Sequence, residues 1–245
     1  GDLLGKDCYV GLDLSTTTDL TAIALVFPPQ EGLSDWRVIW DCWIPEENMA
    51  DRIRADHVPY DKWAADGWVY PTAGNVVDYT RIKERILECS KLYNIIEVDA
   101  DKSFASMLIQ ELEQEQILCV DVAQTYQVLT DPMNMIEILL RGQKASEEQV
   151  DAVQEDDAVG ERVPDNLSSS LTHEANPVAR WCFGNTSIAK NGNAQIKFVK
   201  ERRGKHLDRS KRIDLTAAWV FAMSRAKYYG SSKSVYEKRG IRTVG

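Results

Sequence analysis

Tyr9-Val10-Gly11-Leu12-Asp13-Leu14-Ser15 places one carboxylate inside an apolar run near the start of the chain. In an extended strand, Tyr9, Gly11 and Asp13 share one face. A carboxylate in such a run is costly to bury unless a partner or a metal ion compensates its charge. The stretch therefore predicts a buried strand that carries Asp13 to a functional site.

Two further aspartates recur in comparable settings later in the chain. Asp101 follows the apolar run at residues 95–100, and Asp214 lies in a helical pattern near the end. Carboxylates that converge from separate elements provide the oxygen ligands that Mg²⁺ or Mn²⁺ prefers. Two such ions could activate a water and stabilise the leaving oxygen of a phosphodiester, which predicts a nuclease. Asp99 gives an alternative register for the second ligand.

The last predicted helix supports an inward-facing Asp214. Ser210 is predicted to cap this helix, which extends to about Tyr228. Small and apolar residues follow Asp214 at helical spacing, among them Ala218 and Ala222. These residues would allow the helix to approach the sheet closely and would turn Asp214 toward packed protein.

The order of the predicted elements indicates an α/β fold. Strands at residues 8–14, 20–27 and 36–44, joined by short turns, predict an antiparallel meander. A later strand, helix and strand over residues 95–122 predict a parallel unit with a right-handed crossover. Together they predict a central mixed β-sheet, an antiparallel meander followed by parallel strands, with helices on its flanks.

Composition narrows the class of protein. The chain has 245 residues with a hydrophobic content of 44% and a net charge of −9. No apolar run approaches the roughly 18–20 residues of a membrane span, so no membrane contact is expected. The five cysteines are scattered and form no C-x-x-C pair, which argues against a zinc site or a disulfide framework and favours a reducing compartment.

The charge is unevenly distributed along the chain. Residues 145–171 contain eight acidic residues against one basic residue, and their polarity predicts a mobile acidic insertion. Residues 197–212 contain eight basic residues against two acidic ones and lead directly into Asp214. Such a stripe is predicted to bind DNA phosphates. The predicted DNA-binding residues are Lys197, Lys200, Arg202, Arg203, Lys205, Arg209, Lys211 and Arg212.

Five segments, in this order, resemble the nuclease domain of large terminase subunits of tailed phages, the genome-packaging motor proteins. Residues 11–22 are similar to the first acidic motif of that family, and residues 58–63 with 74–79 to its middle signature. Residues 101–106 match the second acidic site by register. The closing motifs resemble residues 176–181 and 210–214.

The resemblance implies an RNase H-like fold and two-metal cleavage of double-stranded DNA. It carries Asp13, Asp101 and Asp214 over as the ligands of two Mg²⁺ or Mn²⁺ ions. Asp19 matches an acidic position near the first ligand and is a further candidate for the second ion. The family commonly has Pro-Trp near the position of Lys102 and Ser103, so this chain departs from the pattern there.

The resemblance also implies a domain organisation and partners. We expect a nuclease domain at residues 1–228, with the insertion inside it, and a flexible tail at residues 229–245. No G-x-x-x-x-G-K-[ST] motif occurs, so the packaging ATPase is absent here and is expected upstream in a full-length protein, as the start without Met also suggests. Portal and small terminase subunit are implied partners, the host cytoplasm is the implied location, and the isolated domain is expected to be a monomer.

Other functions compete with this one. Residues 12–18 also resemble the first phosphate loop of sugar kinases and actin-like ATPases, but neither the second phosphate loop nor the adenosine motif of that class occurs. A catalytically silent module that docks the motor on a portal would keep the fold without cleaving DNA. A resolvase or transposase would share the fold and the metals but would prefer branched DNA or defined ends.

Overall fold

The chain begins with three antiparallel strands, β1 (Asp7–Asp13), β2 (Thr21–Phe27) and β3 (Trp36–Pro45). A 3₁₀ turn at Glu46–Asn48 follows. The later elements are α1 (Met49–Asp56), α2 (Tyr60–Ala65), β4 (Tyr70–Thr72), α3 (Tyr79–Leu92), β5 (Asn94–Ala100), α4 (Lys102–Gln114), β6 (Cys119–Asp121), α5 (Tyr126–Arg141), β7 (Leu171–His173), α6 (Pro177–Gly184), β8 (Thr186–Lys190), β9 (Ile196–Lys200), β10 (Arg202–Arg203), β11 (His206–Leu207) and α7 (Asp214–Ala226).

This computed structural model describes residues 2–14, 20–142, 170–200, 202–203, 206–207 and 210–230. At residues 102–104, 202–203 and 206–207 it describes the backbone only. Within these ranges, none of the helices combines the length and the hydrophobicity needed to span a membrane.

The strands form one mixed sheet in the order β4-β3-β2-β1-β5-β6, with β7 beside β3. β1 pairs antiparallel with β2 and parallel with β5, and β5 pairs parallel with β6. The predicted fold class, an antiparallel meander followed by parallel strands and flanked by helices, is therefore confirmed. The parallel pairing of β1 with β5 brings the carboxyl ends of both strands to the same edge of the sheet.

Each face of the sheet has its own hydrophobic core. The face that carries Tyr9, Gly11 and Asp13 packs against α7 and its neighbours, and we call it the α7 face. The opposite face carries Val10 and Leu12 and packs against α3 and α4, and we call it the α3/α4 face. The alternation of side chains along β1 assigns the acid to the α7 face.

Two predicted boundaries move in the structure. Helix α7 begins at Asp214, after Ile213, and not from a cap at Ser210. Leu171, predicted as the end of the acidic insertion, begins β7 and pairs with Trp36 of β3. The remainder of that insertion, apart from Ser170, lies outside the described residues.

The predicted flexible tail also begins too early. Tyr229, its first residue, donates a hydrogen bond from its hydroxyl to Asp7 Oδ2 at 2.6 Å and contacts the ring of Tyr9 edge-on. The chain beyond Gly230 lies outside the described residues.

The β-hairpin formed by β8 and β9 packs against α5 and α7. Strands β8 and β9 pair antiparallel, and Phe198 of β9 contacts Phe221 of α7 with ring centroids 6.1 Å apart. The backbone N–H of Ile196 donates to Thr130 Oγ1 on α5 at 2.9 Å. These contacts fix the hairpin beside α7, so that the end of β9 lies near the start of that helix.

Candidate active site

Asp13 and Asp101 lie at the same edge of the sheet. Asp13 is the last residue of β1, and Asp101 directly follows β5. The two strands are in register at Leu12 and Ala100, so each aspartate is one residue beyond this pair. Both aspartates therefore lie at the ends of adjacent parallel strands.

Helix α7 brings Asp214 to this edge through a close contact with β1. A Cβ at Gly11 would lie 1.8 Å from the carbonyl oxygen of Ala218 and 2.7 Å from the backbone nitrogen of Ala222. Only glycine permits this approach, because no real Cβ can be accommodated at such distances. Asp214 is one helical turn before Ala218 and is therefore held over the end of β1.

Burial and mutual repulsion disfavour the charged forms of this carboxylate pair. Burial raises the pKa of Asp13 well above its usual range, and the charges of Asp214 and Asp101 raise it further. Burial likewise raises the pKa of Asp214, which Lys200 and Arg212 oppose. Asp214 Oδ2 is buried and has no hydrogen-bond partner among the described residues. A cation at this position would relieve both effects.

Asp101, like Asp13, is less enclosed than Asp214. It is partly buried, and Gln124 Nε2 donates a hydrogen bond to its Oδ2 at 2.9 Å. Across the described ranges, no three His, Cys, Asp or Glu side chains are grouped closely enough to hold a metal ion. The three carboxylates thus face one region without forming a closed three-ligand cage.

The alternative second ligand, Asp99, has different surroundings. It pairs with Gly11 across the sheet and is fully buried. Its neighbour Glu97 accepts a hydrogen bond from Arg225 Nε at 2.6 Å. Burial raises the pKa of Asp99 well above its usual range, and the charge of Glu97 adds to this. The charge of Asp101 raises the pKa of Asp13, and Asp101 follows β5 directly at the edge where β1 ends, which favours Asp101 as the partner of Asp13.

Lys200 lies close enough to the carboxylates for its charge to act on them. It is the last residue of β9 and pairs with Thr186, whose hydroxyl donates to Thr216 Oγ1 in the first turn of α7 at 3.0 Å. Its charge lowers the pKa of both Asp13 and Asp214. The hairpin therefore brings a cation to the acidic site.

The other predicted DNA-binding residues occupy several environments. Lys197 lies over the ring of Tyr126, with Nζ 4.8 Å from the centroid, and Lys211 is partly buried. Arg202 and Arg203 form β10, of which only the backbone is described. Lys205 and Arg209 lie outside the described residues, as does the candidate metal ligand Asp19.

The prediction that Arg212 contacts DNA is wrong. Arg212 is 2% exposed, and its Nε donates to Asp56 Oδ2 at 3.0 Å. Its basic neighbours in sequence suggested a solvated stripe, but the chain turns inward here before α7 begins. A guanidinium with so little exposure cannot reach a phosphate on a DNA backbone.

Three residues around Arg212 were not predicted from the sequence. Asp56 accepts hydrogen bonds from the Arg212 guanidinium and from the Tyr60 hydroxyl. Asn185 donates a hydrogen bond to the carbonyl oxygen of Arg212. Tyr60 lies in the segment that resembles the middle signature of the terminase family, and this was the available signal. Asp56 and Asn185 carry no pattern that distinguishes them from ordinary helix-terminal residues.

Comparison with known proteins identifies the family to which the chain belongs. A family profile described as "Terminase large subunit, endonuclease domain" matches residues 1–163. Protein YmfN of Escherichia coli strain K12 is 24% identical over 254 residues, which cover 98% of this chain and 48% of YmfN. The large terminase subunit of Enterobacteria phage HK97 is 24% identical over 202 residues, which cover 82% of this chain and 34% of that protein.

The fold matches as well. The crystal structure of the HK97 large terminase superposes with a TM-score of 0.69 at 21% identity, covering 91% of this chain and 40% of that chain. The chain thus spans between a third and a half of the length of these relatives. The central mixed sheet is accordingly the RNase H-like sheet of terminase nuclease domains. Because the profile covers most of the sequence, the chain belongs to the family of terminase large subunits through their endonuclease domain.

Proposed function

We propose that this chain is a metal-dependent endonuclease that cuts double-stranded DNA during viral genome packaging. The observation that carries the proposal is that the partly buried Asp13 and the buried Asp214 lie close enough for the charge of Asp214 to raise the pKa of Asp13, beside the contact between Gly11 and α7. Membership of the terminase endonuclease family supports the same activity. The reaction is hydrolysis of a phosphodiester bond in the concatemeric genome.

Asp13, Asp101 and Asp214 would hold two Mg²⁺ or Mn²⁺ ions, with Asp19 as a further candidate. The donor set fits these ions, because all of its ligands are oxygens and Asp214 Oδ2 has no hydrogen-bond partner among the described residues. Mg²⁺ keeps several waters and often takes only one or two protein carboxylates, so a closed cage is not required. When bound, the ions would supply an activated water and neutralise the charge on the leaving oxygen.

The protein groups prepare this site for a cation. Lys200 lowers the pKa of Asp13 and Asp214, which favours the ionised carboxylates that a metal requires. Gln124 orients Asp101 through its hydrogen bond. The close contact between β1 at Gly11 and α7 at Ala218 would hold Asp214 in a fixed position relative to the end of β1.

Phosphate contacts would come from the hairpin and the segment that follows it. The proposed set is Lys197, Lys200, Arg202, Arg203, Lys205, Arg209 and Lys211. Contacts of this kind position a duplex without reading its bases, so binding would depend on salt and not on sequence.

The organisation of the whole protein follows from the same proposal. Residues 1–228, together with the packed Tyr229, would form the nuclease unit, with the acidic insertion inside it and a tail after it. The ATPase domain would lie elsewhere in the same polypeptide, with the portal and the small terminase subunit as partners in the host cytoplasm. The isolated domain would be a monomer.

Plasmid cleavage tests the proposal. Supercoiled DNA is incubated with the domain and Mg²⁺, Mn²⁺ or EDTA, and nicked and linear products are measured. We expect cleavage with either metal, none in EDTA, and a loss of more than about 100-fold in Asp13→Asn and Asp214→Asn, since even outer-shell partners of a metal contribute 10- to 100-fold. Asp131→Asn is the matched control, because this exposed aspartate pairs only with Lys227 among the described residues.

The alternatives predict different results. A folded wild-type domain that fails to cleave DNA with any metal would instead be a docking module for the motor. A preference for branched DNA over linear duplex would place the chain with resolvases. Cleavage that survives both substitutions would show that these aspartates are not the active site.

A further inference from the structure

A second buried group of charges lies next to the candidate active site. The Arg212 guanidinium forms a bidentate ion pair with Asp56, with Nε 3.0 Å from Oδ2 and Nη2 3.3 Å from Oδ1. The side chains are 3% and 0% exposed, respectively. A two-point contact of this kind fixes orientation as well as distance. Arg212 is therefore locked in place two residues before Asp214.

Asp56 is itself held by a rigid base. The Tyr60 hydroxyl donates to Asp56 Oδ2 at 2.8 Å, and Arg52 Nη1 lies 3.9 Å from Oδ1. The Tyr60 ring packs edge-on against Trp63 and Trp181, with centroids 5.5 and 6.0 Å apart. These contacts join α1, α2 and α6, so the carboxylate that receives Arg212 has little freedom to move.

The start of α7 lacks the usual means of fixing a helix terminus. Ile213 is its N-cap and provides no side-chain hydrogen bond to the first turn. The first backbone bond runs from Ala217 N–H to the Ile213 carbonyl oxygen at 2.9 Å. Asn185 Nδ2 donates to the Arg212 carbonyl oxygen at 3.2 Å. The direction in which Asp214 leaves the chain thus depends on how residue 212 is held.

Stability alone is a weak reason for this arrangement. Burying an ion pair costs desolvation energy, and well-packed apolar residues in its place are often equally or more stabilising. The pair lies two residues from a candidate metal ligand, which is a place where fixed geometry would matter more than added stability.

We propose that Asp56 and Arg212 are positioning residues that fix the start of α7 and thereby aim Asp214 into the active site. The role of Asp214 as a metal ligand rests on the proposed function above. The claim that this pair fixes the start of α7 is independent of the proposed function, and a separate measurement tests it.

The experiment compares the two ends of α7, because each carries a forked ion pair. At the distal end, Arg225 Nε lies 2.6 Å from Glu97 Oε1, and Nη2 lies 3.4 Å from Oε2. Arg212→Gln and Asp56→Asn test the proximal pair, with Arg225→Gln and Glu97→Gln as matched controls. For each variant, we would measure the melting temperature, amide hydrogen exchange along residues 213–226, the Kd for Mn²⁺ by calorimetry, and plasmid cleavage.

We expect Arg212→Gln and Asp56→Asn to raise the Kd for Mn²⁺ by about 10- to 100-fold, as for other residues that orient metal ligands. Amide exchange should accelerate at residues 213–217. The controls should leave the Kd within about twofold of wild type and change exchange only toward residue 226, even where their melting temperatures fall. Arg212→Lys, which keeps the charge but loses the fork, should be intermediate.

Two results would overturn the proposal. One is a folded Arg212→Gln domain with wild-type Mn²⁺ affinity, and the other is an equal loss of affinity in Glu97→Gln. If Arg212→Gln does not fold, Tyr60→Phe takes its place, since it removes one hydrogen bond from Asp56, and it should raise the Kd several-fold.

Failure of the proposed function would be visible separately. Wild-type protein that binds no Mn²⁺ and cuts no DNA would remove the metal-site proposal. The exchange data would still decide the positioning role, because unchanged exchange at residues 213–217 in Arg212→Gln would contradict it.

Discussion

The two faces of the central sheet treat buried acids differently. On the α3/α4 face, the buried Asp41 accepts a hydrogen bond from Arg85 Nε at 2.8 Å. On the α7 face, the buried Glu97 is likewise paired with Arg225, but Asp99 has only the neighbouring Glu97 carboxyl as a partner, and Oδ2 of Asp214 is buried without a hydrogen-bond partner among the described residues. Buried polar atoms are nearly always satisfied in folded proteins, so the exceptions need an explanation.

The difference separates scaffold from site. The α3/α4 face resembles an ordinary domain core, with apolar packing and one compensated charge. The α7 face combines unsatisfied carboxylates with a helix backbone pressed against β1 at Gly11. An ordinary core would be stabilised by giving these carboxylates hydrogen-bond partners. Their absence among the described residues fits the proposed metal site, where a bound cation would take that place.

The largest expected effect comes from the helix contact that defines the α7 face. Gly11→Ala would place a Cβ 1.8 Å from the Ala218 carbonyl oxygen, which is backbone and cannot rotate away. We expect a loss of more than about 4 kcal/mol in the free energy of unfolding, or no folded protein. Denaturant unfolding followed by circular dichroism measures this loss.

Gly192→Ala is the control for the glycine substitution, because a Cβ at this position would have nothing within 4 Å. Its free energy of unfolding should stay within about 0.5 kcal/mol of wild type. A stable Gly11→Ala domain with intact cleavage would show that α7 does not need to approach β1 this closely.

A matched pair of core truncations tests the comparison at a smaller scale. Ile86 on the α3/α4 face and Leu215 beside Asp214 are both fully buried. Ile86→Ala and Leu215→Ala should each lower the free energy of unfolding by about 2–5 kcal/mol. At a temperature where both are folded, only Leu215→Ala should weaken Mn²⁺ binding and cleavage. Equal losses of binding in both variants would contradict the separation of scaffold from site.

Much of this organisation could be predicted from the sequence, because it depends on local patterns. The alternation along β1 assigns Asp13 to one face, and the small residues after Asp214 indicate the close approach of α7. Parallel pairing of β1 with β5 then brings Asp101 to Asp13. Each inference needs only residues within one element and the geometry of a sheet.

What could not be predicted depends on distant partners. Arg212 stands among basic residues in the sequence, but in the fold it is buried against Asp56, 156 positions earlier. Strand β7 has three residues and no apolar alternation, so its pairing with β3 leaves no pattern in the sequence. Ser210 has the chemistry of a helix cap, yet tertiary anchoring of residue 212 delays the start of α7 to Asp214.

A third prediction uses pH to compare the buried acids of the two faces. Because the pKa of Asp99 is raised, the folded protein keeps a proton that the unfolded chain releases above about pH 4. The associated stability is complete at low pH and is lost as pH rises through the folded pKa. In EDTA, the free energy of unfolding of Asp99→Asn should therefore increase relative to that of wild type as the pH rises. The increase should be about 1.4 kcal/mol for each pH unit by which the pKa of Asp99 is raised in the folded protein.

Asp41→Asn is the matched substitution on the other face. It leaves Arg85 with a neutral partner and should cost about 1–3 kcal/mol at neutral pH. Urea unfolding at several pH values measures both variants. Parallel pH profiles for Asp99→Asn and wild type would show that Asp99 is ionised in the folded domain without penalty.

The smallest expected effect concerns DNA binding by the β8–β9 hairpin, which packs on the α7 face. Lys197→Gln removes one proposed phosphate contact from β9, and Lys83→Gln removes a lysine on α3 that pairs with Glu111 and Glu115. Fluorescence anisotropy with a duplex at several salt concentrations measures the affinity and its salt slope. Lys197→Gln should weaken binding a few-fold and lower the slope by about 1, as expected for one phosphate contact, while Lys83→Gln should leave both unchanged. An equal change in both variants would mean that the duplex does not favour the side of the sheet where the unsatisfied carboxylates lie.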